Sequence, residues 1–289
     1  DADHYPNLAP SRRRDARARH AATPPKDATR GRARTMATVR AATPTTRGAT
    51  TATRTTTTTT TTRWTGRRRR AGAAARATRE DAARPVVIID NYDSFTYNLS
   101  QYLGDCGCAH AVYKNDEVTV EEVRAMRPRG VMVSPGPGRP EDSGISLDVV
   151  RELGPEFGVF GVCMGHQCIG QVFGGDIVRA PTGLMHGKSS PVTHRTDLDT
   201  VLSGLPSPFQ AARYHSLVIS RDNFPEDALE VTAWTEDGTI MAVKHKAYPW
   251  IQGVQFHPES IITENGLLIV KNWVKMINDR AAESELARA

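Results

Sequence analysis

Gly158-Val-Phe-Gly-Val-Cys-Met-Gly-His-Gln-Cys-Ile-Gly-Gln-Val-Phe-Gly-Gly175 holds an apolar run that stops at a cysteine framed by glycines. Val159, Phe160 and Val162 read as a short buried strand, while Ile169, Val172 and Phe173 recur at helical spacing. A sharp strand-to-helix turn therefore falls at Cys163. Gly161-Val-Cys-Met-Gly165 has the pattern of a nucleophile elbow with sulfur in place of oxygen, and its glycines leave room where a side chain would clash. Such a turn exposes the sulfur at a helix N-terminus, where unpaired N–H groups and the helix dipole favour the thiolate and provide a donor for an oxyanion. Cys168, further along the helix, reads as an ordinary buried cysteine.

Upstream of this turn, Val86-Val-Ile-Ile-Asp90 is a continuous apolar run of the kind buried on both faces of a parallel sheet. Asn91-Tyr-Asp-Ser-Phe95 follows as a turn, with Ser94 the expected N-cap of a helix reaching Gly104. Residues 111–115 predict a second strand, 119–126 a short helix, and Gly130-Val-Met-Val-Ser134 a third strand leading into Pro135-Gly-Pro-Gly-Arg-Pro140. This alternation predicts an α/β fold, an open, mixed and mostly parallel sheet flanked by helices, with function gathered beyond the carboxyl ends of the strands. Downstream, short strands at 176–180, 189–194, 218–220, 229–234 and 240–244 predict an antiparallel half. A last strand is expected at Ile251-Gln-Gly-Val-Gln-Phe-His-Pro258 and a closing helix at 267–277, with a polar, frayed tail after Asp279.

Charge divides the chain. Residues 1–84 carry 20 Lys+Arg against 6 Asp+Glu, and the remainder 17 against 26, so the overall +5 comes from the first segment. That segment is rich in Arg, Ala and Thr, includes an unbroken Thr55–Thr62 run and has no apolar periodicity. It predicts a disordered extension of organellar transit-peptide type, ahead of a domain over 85–280 and a tail over 281–289. Because the domain itself is acidic, nucleic acid is not an expected partner. No apolar run approaches the ~20 residues of a membrane span, so no membrane partner is expected either. The four cysteines, Cys106, Cys108, Cys163 and Cys168, do not demand a disulfide framework.

A thiolate nucleophile needs a base and a group to orient it. In Phe256-His-Pro-Glu259, His257 and Glu259 share a face if strand geometry persists, and a carboxylate beside an imidazole fixes its tautomer. In Pro135-Gly-Pro-Gly138, two residues without side chains let backbone N–H groups turn inward and, with the Met164 amide, form an oxyanion hole. Met185-His-Gly-Lys188 lies beside a strand, and Arg213-Tyr-His-Ser-Leu217 reads as a loop. His110, His194 and His245 have no evident partners and read as solvent-facing. No grouping has metal-ligand spacing, and no metal is expected.

Asp90-Asn-Tyr-Asp-Ser-Phe95, Ser134-Pro-Gly-Pro-Gly138, Gly161-Val-Cys-Met-Gly-His-Gln167, Met185-His-Gly-Lys188, Arg213-Tyr-His-Ser-Leu217 and Gly253-Val-Gln-Phe-His-Pro-Glu-Ser-Ile261 occur in one order across residues 86–277. Together they resemble the class I, triad-type glutamine amidotransferases with their flavodoxin-like fold, and within them the small subunit of plant-type anthranilate synthase. The resemblance implies Cys163 as nucleophile, His257 as base and then acid, and Glu259 as the orienting carboxylate. It further implies that Gly136, Pro137, Gly138 and Met164 surround the oxyanion, and that Gln167, Ser216 and Leu217 hold L-glutamine. It implies no cofactor in this subunit, a heteromeric complex with the anthranilate synthase large subunit, which converts chorismate, and a plastid stroma location once the extension is removed. An aminodeoxychorismate synthase partner, or service to both pathways, stays open on these motifs. More distant relatives that feed carbamoyl-phosphate or GMP synthesis, a non-catalytic scaffold subunit and a cysteine peptidase fit them less well.

Overall fold

In the computed structural model the described residues are 84–288, apart from 182 and 184. The transit-type extension expected before the domain lies outside them except for Arg84. The predicted apolar runs become β1 (Val86–Asp90), β2 (His110–Lys114), β3 (Gly130–Val133) and β4 (Val159–Val162), joined by β11 (Ile251–Val254). These five strands are parallel neighbours in the order β2-β1-β3-β4-β11. β1, β3, β4 and β11 are buried along their whole length; this is why β1, β3 and β4 read as apolar runs rather than as an alternation, whereas β11 buries Gln252 through hydrogen bonds to Val201 and Pro249. Beyond β11 the sheet turns antiparallel through β10 (Ile240–His245), β9 (Leu229–Trp234), β6 (Met185–His194) and β7 (Phe209–His215). β5 (Ile177–Arg179) and β8 (Leu217–Ile219) pair as a separate two-stranded ribbon.

Successive side chains of a strand point to opposite faces, and the two halves of the core follow that alternation. Val86 and Ile88 pack with Leu99, Leu103, Phe160 and Trp273, beneath the helices Thr96–Asp105 and Gly266–Arg288. Val87 and Ile89 pack with Val123, Val150, Met164 and Ile169, beneath Val120–Ala125, the helical run through the π-turn Val149–Leu153, and Met164–Val172. Helices therefore cover both faces of a mostly parallel sheet, as the strand–helix alternation predicts.

Local details depart from the sequence reading. Ser94 does not cap the first helix, which starts at Thr96 with Phe95 in the cap position. Two aspartates hold the turn instead. Asp93 Oδ1 accepts from the Phe95 N–H at 2.8 Å, and Asp90 Oδ1 accepts from the Asp93 N–H at 3.1 Å and the Thr96 hydroxyl at 2.9 Å. The segment read as a loop at Arg213 belongs to β7, β6 starts at Met185 rather than Ser189, and the last helix runs to Arg288 instead of fraying after Asp279. The three histidines read as solvent-facing are engaged. His194 faces the Leu205 and Pro206 carbonyls, and His245 Nδ1 accepts from the Ala247 and Tyr248 N–H groups. His110 bridges the Ser100 hydroxyl and the Cys108 carbonyl.

Asp90, at the end of β1, makes stability depend on acid. Its side chain is fully buried and paired with Lys114 Nζ. Burial by itself would raise its pKa, but the hydrogen bonds from Lys114, the Asp93 N–H and Thr96 outweigh it and hold the carboxyl below its ordinary value. A depressed folded pKa means stability that is present above the unfolded value of about 3.9 and lost as pH falls through the folded one. Asp90→Asn is expected to cost about 2 kcal/mol at pH 7 and to flatten the acid limb of the stability profile below about pH 4. Urea unfolding at pH 7 and at pH 3 tests this; an acid limb as steep as the parent's would remove Asp90 from the account.

Candidate active site

Parallel packing brings four strand ends to one edge. β3 and β11 flank β4, pairing Val133 with Gly161 and Val254 with Val162. The segments leaving β3, β4 and β11 at their carboxyl ends, which carry Ser134, Cys163 and Gln255, therefore emerge side by side, with Asn91 after β1 next in line.

Cys163 sits at φ 52° and ψ −94°, a backbone conformation that residues with a Cβ rarely adopt. Such geometry costs on the order of 1–3 kcal/mol and persists only where the surroundings enforce it. Here the Cys163 N–H donates to the Val254 carbonyl at 2.8 Å, and its own carbonyl accepts from the Gln167 N–H at 3.1 Å. The flanking glycines allow the bend: a Cβ on Gly161 would lie 2.4 Å from the Gly165 carbonyl carbon and oxygen. Cys163 is only 6% exposed, so the turn presents the sulfur at the helix start but does not expose it as the sequence pattern predicts; Met164, beside it, opens the helix Met164–Val172. Cys168 is fully buried in that helix, and burial pushes its thiol up to about 12, as expected of a structural cysteine.

β11 ends at Val254, so strand geometry does not carry His257 and Glu259 to a common face as the sequence pattern suggests. The turn after β11 does so, anchored on β7. The His257 N–H donates to the Ala212 carbonyl at 3.0 Å, and the Thr263 hydroxyl donates to the His257 carbonyl at 2.5 Å while accepting from the Ala212 N–H at 3.0 Å. Held this way, His257 Nδ1 meets Glu259 Oε1 at 2.7 Å with both side chains buried. Its ring is also wedged edge-on against Phe95 and Tyr214, with centroids at 5.6 and 5.0 Å. Burial would depress the His257 pKa, but the Cys163 sulfur and the Glu259 carboxylate beside it reverse the sign and raise it well above its ordinary value. Nε2 is buried without a well-formed hydrogen bond, so it is available for proton transfer. The imidazole is therefore held by a carboxylate, with the Cys163 sulfur close enough to raise its pKa.

Gln167 is buried, and its amide nitrogen donates to the Leu217 carbonyl at 3.0 Å and to Gln255 Oε1 at 3.3 Å. With both amide hydrogens engaged, its oxygen is the atom left to receive a ligand's donor. Ser216 and Leu217 are half-buried where β7 passes into β8, and the Ser216 carbonyl accepts from the Ala180 N–H at 2.9 Å. Gly136 is half-buried and packed so tightly that a Cβ would stand 2.5 Å from Asn91 Cβ, whereas Pro137 and Gly138 are exposed on the outer bend of their loop. Asn91 ties that loop to β1, its N–H donating to Ser134 Oγ at 2.9 Å and its side-chain amide to the Ser134 carbonyl at 3.0 Å. Arg213 is buried in β7 and its Nε donates to His215 Nε2 at 3.1 Å; burial and this cation push His215 down to about 3, so it is neutral.

Gln255 lies inside the Gly253–Ile261 motif, but the sequence reading gives it no role in the site. Its side chain is fully buried and Nε2 donates to Cys163 Sγ at 3.5 Å. The available signal is a polar residue inside the apolar run that ends at His257. Among the described residues, no cluster of His, Cys, Asp or Glu could hold a metal ion, and no helix is long and apolar enough to cross a membrane.

A family model described as glutamine amidotransferase class-I matches residues 87–277. The chain is 63% identical over 195 residues to "Anthranilate synthase beta subunit 2, chloroplastic" of Oryza sativa subsp. japonica, covering 67% of this chain and 71% of that protein. It is 60% identical over 200 residues to "Anthranilate synthase beta subunit 1, chloroplastic" of Arabidopsis thaliana, covering 69% of this chain and 72% of that one. The crystal structure of a Thermoplasma acidophilum protein described as a GMP synthase component superposes with a TM-score of 0.61 at 23% identity, over 71% of this chain and 98% of that one, a likeness of fold alone. With the family model spanning most of the described residues and the plant proteins aligned over more than two thirds of their own length, the chain belongs to the class-I glutamine amidotransferase family.

Proposed function

We propose that the chain is the glutamine-hydrolysing subunit of an anthranilate synthase. The observation that carries this reading is the buried His257 imidazole held by Glu259 at 2.7 Å, at the carboxyl edge of the sheet where the Cys163 turn also lies. Cys163 gives its thiol proton to His257 as its sulfur attacks the side-chain amide carbon of glutamine, and the oxyanion formed is held by backbone N–H groups near Gly136 and at Met164. His257, its tautomer set by Glu259, gives a proton to the departing nitrogen, and the C–N bond breaks to leave a thioester and ammonia. His257 then takes a proton from water, whose oxygen attacks the thioester, and passes that proton to the departing sulfur, releasing glutamate and the free thiol. Gln167 and the backbone at Ser216 and Leu217 hold the rest of the glutamine, with Pro137 and Gly138 shaping the outer wall. These steps draw only on side chains and backbone, so we assign the chain no cofactor.

Ammonia formed here is consumed by a large subunit that converts chorismate. The exposed apolar residues Tyr92, Tyr97, Ile261 and Ile262 support such a partner on this side of the molecule. Asn98, in the helix that carries Tyr97, donates to the Glu259 carbonyl at 3.5 Å, so these residues surround the His257 turn. The chloroplastic names of the plant relatives support a plastid location, and within it we propose the stroma. Those relatives are anthranilate synthase subunits, which favours anthranilate over aminodeoxychorismate as the product.

The test mixes residues 85–289 with a plant anthranilate synthase large subunit or, separately, an aminodeoxychorismate synthase large subunit, and supplies chorismate and glutamine. Glutamine-dependent anthranilate with the first partner and no aromatic amine with the second is expected. Product only with the second would overturn the reading.

A further inference from the structure

We infer that Gln255 is a hydrogen-bond donor to the nucleophile, oriented for that task by the glutamine-binding residue Gln167; the inference rests on the proposed role of Cys163. Two buried amides and one sulfur form a line. Gln167 Nε2 donates to the Leu217 carbonyl at 3.0 Å, and because a carbonyl only accepts, that end of Gln167 must be its NH2 group. Its second N–H points at Gln255, 3.3 Å away. Gln255 must therefore present its oxygen to Gln167, since the opposite orientation would set two NH2 groups against each other in a dry site. The Gln255 NH2 group is thereby directed at Cys163 Sγ, 3.5 Å away. The orientation follows from the Leu217 backbone and not from a choice of amide rotamer.

The backbone fixes the donor as firmly. Gln255 immediately follows β11, and its N–H donates to the Met241 carbonyl at 2.9 Å. The neighbouring Val254 carbonyl accepts from the Cys163 N–H at 2.8 Å, so the segment carrying the donor is locked to the residue it serves. A neutral N–H aimed at sulfur in a buried site favours the thiolate over the thiol, because a hydrogen bond to a charged acceptor is stronger than one to a neutral acceptor. Gln255 also gives the site an element that His257 cannot supply: a donor that keeps its proton throughout the reaction, whereas His257 gives its proton to the leaving nitrogen. The line further couples binding to reactivity, since glutamine held by the Gln167 oxygen polarises the amide that Gln167 presents to Gln255.

The experiment measures the rate of iodoacetamide alkylation at Cys163 against pH, with peptide mapping to separate it from Cys106, Cys108 and Cys168, in the full chain and in Gln255→Met. Methionine keeps the length of the side chain and removes the N–H. The midpoint of the alkylation profile is expected to rise by about one pH unit, with alkylation at pH 7 slowed about tenfold. Gln255→Asn retains a polar amide but withdraws it from the sulfur; it carries the same test, with a shift in the same direction, should the Met variant fold poorly. A packing defect alone would lower the melting temperature without moving the midpoint. Labelling of the parent Cys163 by a glutamine-analogue electrophile, together with an unchanged midpoint in the folded variants, would overturn the role of Gln255. Failure of the parent to be labelled at Cys163 would overturn the nucleophile itself.

Discussion

Cys163→Ala, assembled with its large subunit, is expected to lose glutamine-dependent anthranilate formation by a factor of about 10⁴ or more, while ammonia supplied in solution supports synthesis within about twofold of the parent. The reason is chemical and local. In the proposed mechanism the sulfur is the atom that bonds to the substrate carbon, and neither His257 nor Glu259 can replace it. Alanine keeps the Cβ that the backbone at φ 52° already accommodates, so the elbow and the hydrogen bonds through Val254 and Gln167 remain. The large subunit, to which the proposal assigns the chorismate chemistry, is untouched. Assays with glutamine and with ammonium salts in parallel separate the two activities. Equal loss of both would mean that Cys163 holds the complex together rather than releasing ammonia, and the division of labour would fail.

Gly266→Ala is expected to destabilise the chain by about 3 kcal/mol or more, lowering the melting temperature by roughly 6–12 °C, and to cut glutaminase activity about 100-fold. Gly266 is the first residue of the closing helix, and a Cβ there would stand 1.8 Å from the Pro258 carbonyl oxygen. Either the helix must back away, disturbing the packing of Ile269, Val270 and Trp273 into the core, or the Pro258 peptide must move. The second route shifts the residues on both sides of Pro258, which are His257 and Glu259. Their 2.7 Å contact is then lost, and with it the tautomer that proton transfer requires. Calorimetry and a steady-state glutaminase assay read the two effects separately. A variant with parental stability and activity would show that the helix start is not what holds the turn in place.

Much of this is legible locally. The runs at β1, β3 and β4 are buried on both faces and read as such, and the glycines of the Cys163 elbow announce a bend that the backbone dihedrals bear out. The antiparallel half is less legible. β7 reads as a loop at Arg213 because an Arg, a Tyr and a His in succession look solvated; each is accommodated by a specific neighbour, Arg213 by His215 and Tyr214 by the Phe95 and His257 rings. The solvent-facing reading of His194 and His245 fails for the same reason. Periodicity detects apolar burial, whereas a buried polar side chain is tolerated only through partners that lie elsewhere in the chain.

The sequence alone determined the chemical inventory and the local geometry: a thiol on a sharp strand-to-helix turn, a histidine and a carboxylate two residues apart, and strands apolar enough to be covered by helices on both faces. These depend on residue type and on neighbours a few positions away. Tertiary structure decided how the parts meet. β11, the last strand in the chain, enters between β4 and β10, and this insertion sets His257 and Gln255 beside Cys163 across some 90 residues of sequence. β7, which carries no apolar signal at Arg213, supplies the Ala212 carbonyl that anchors the His257 turn. Strand order is set by which apolar faces and unpaired backbone edges remain after the other elements have packed, a property of the assembled chain that no single segment encodes.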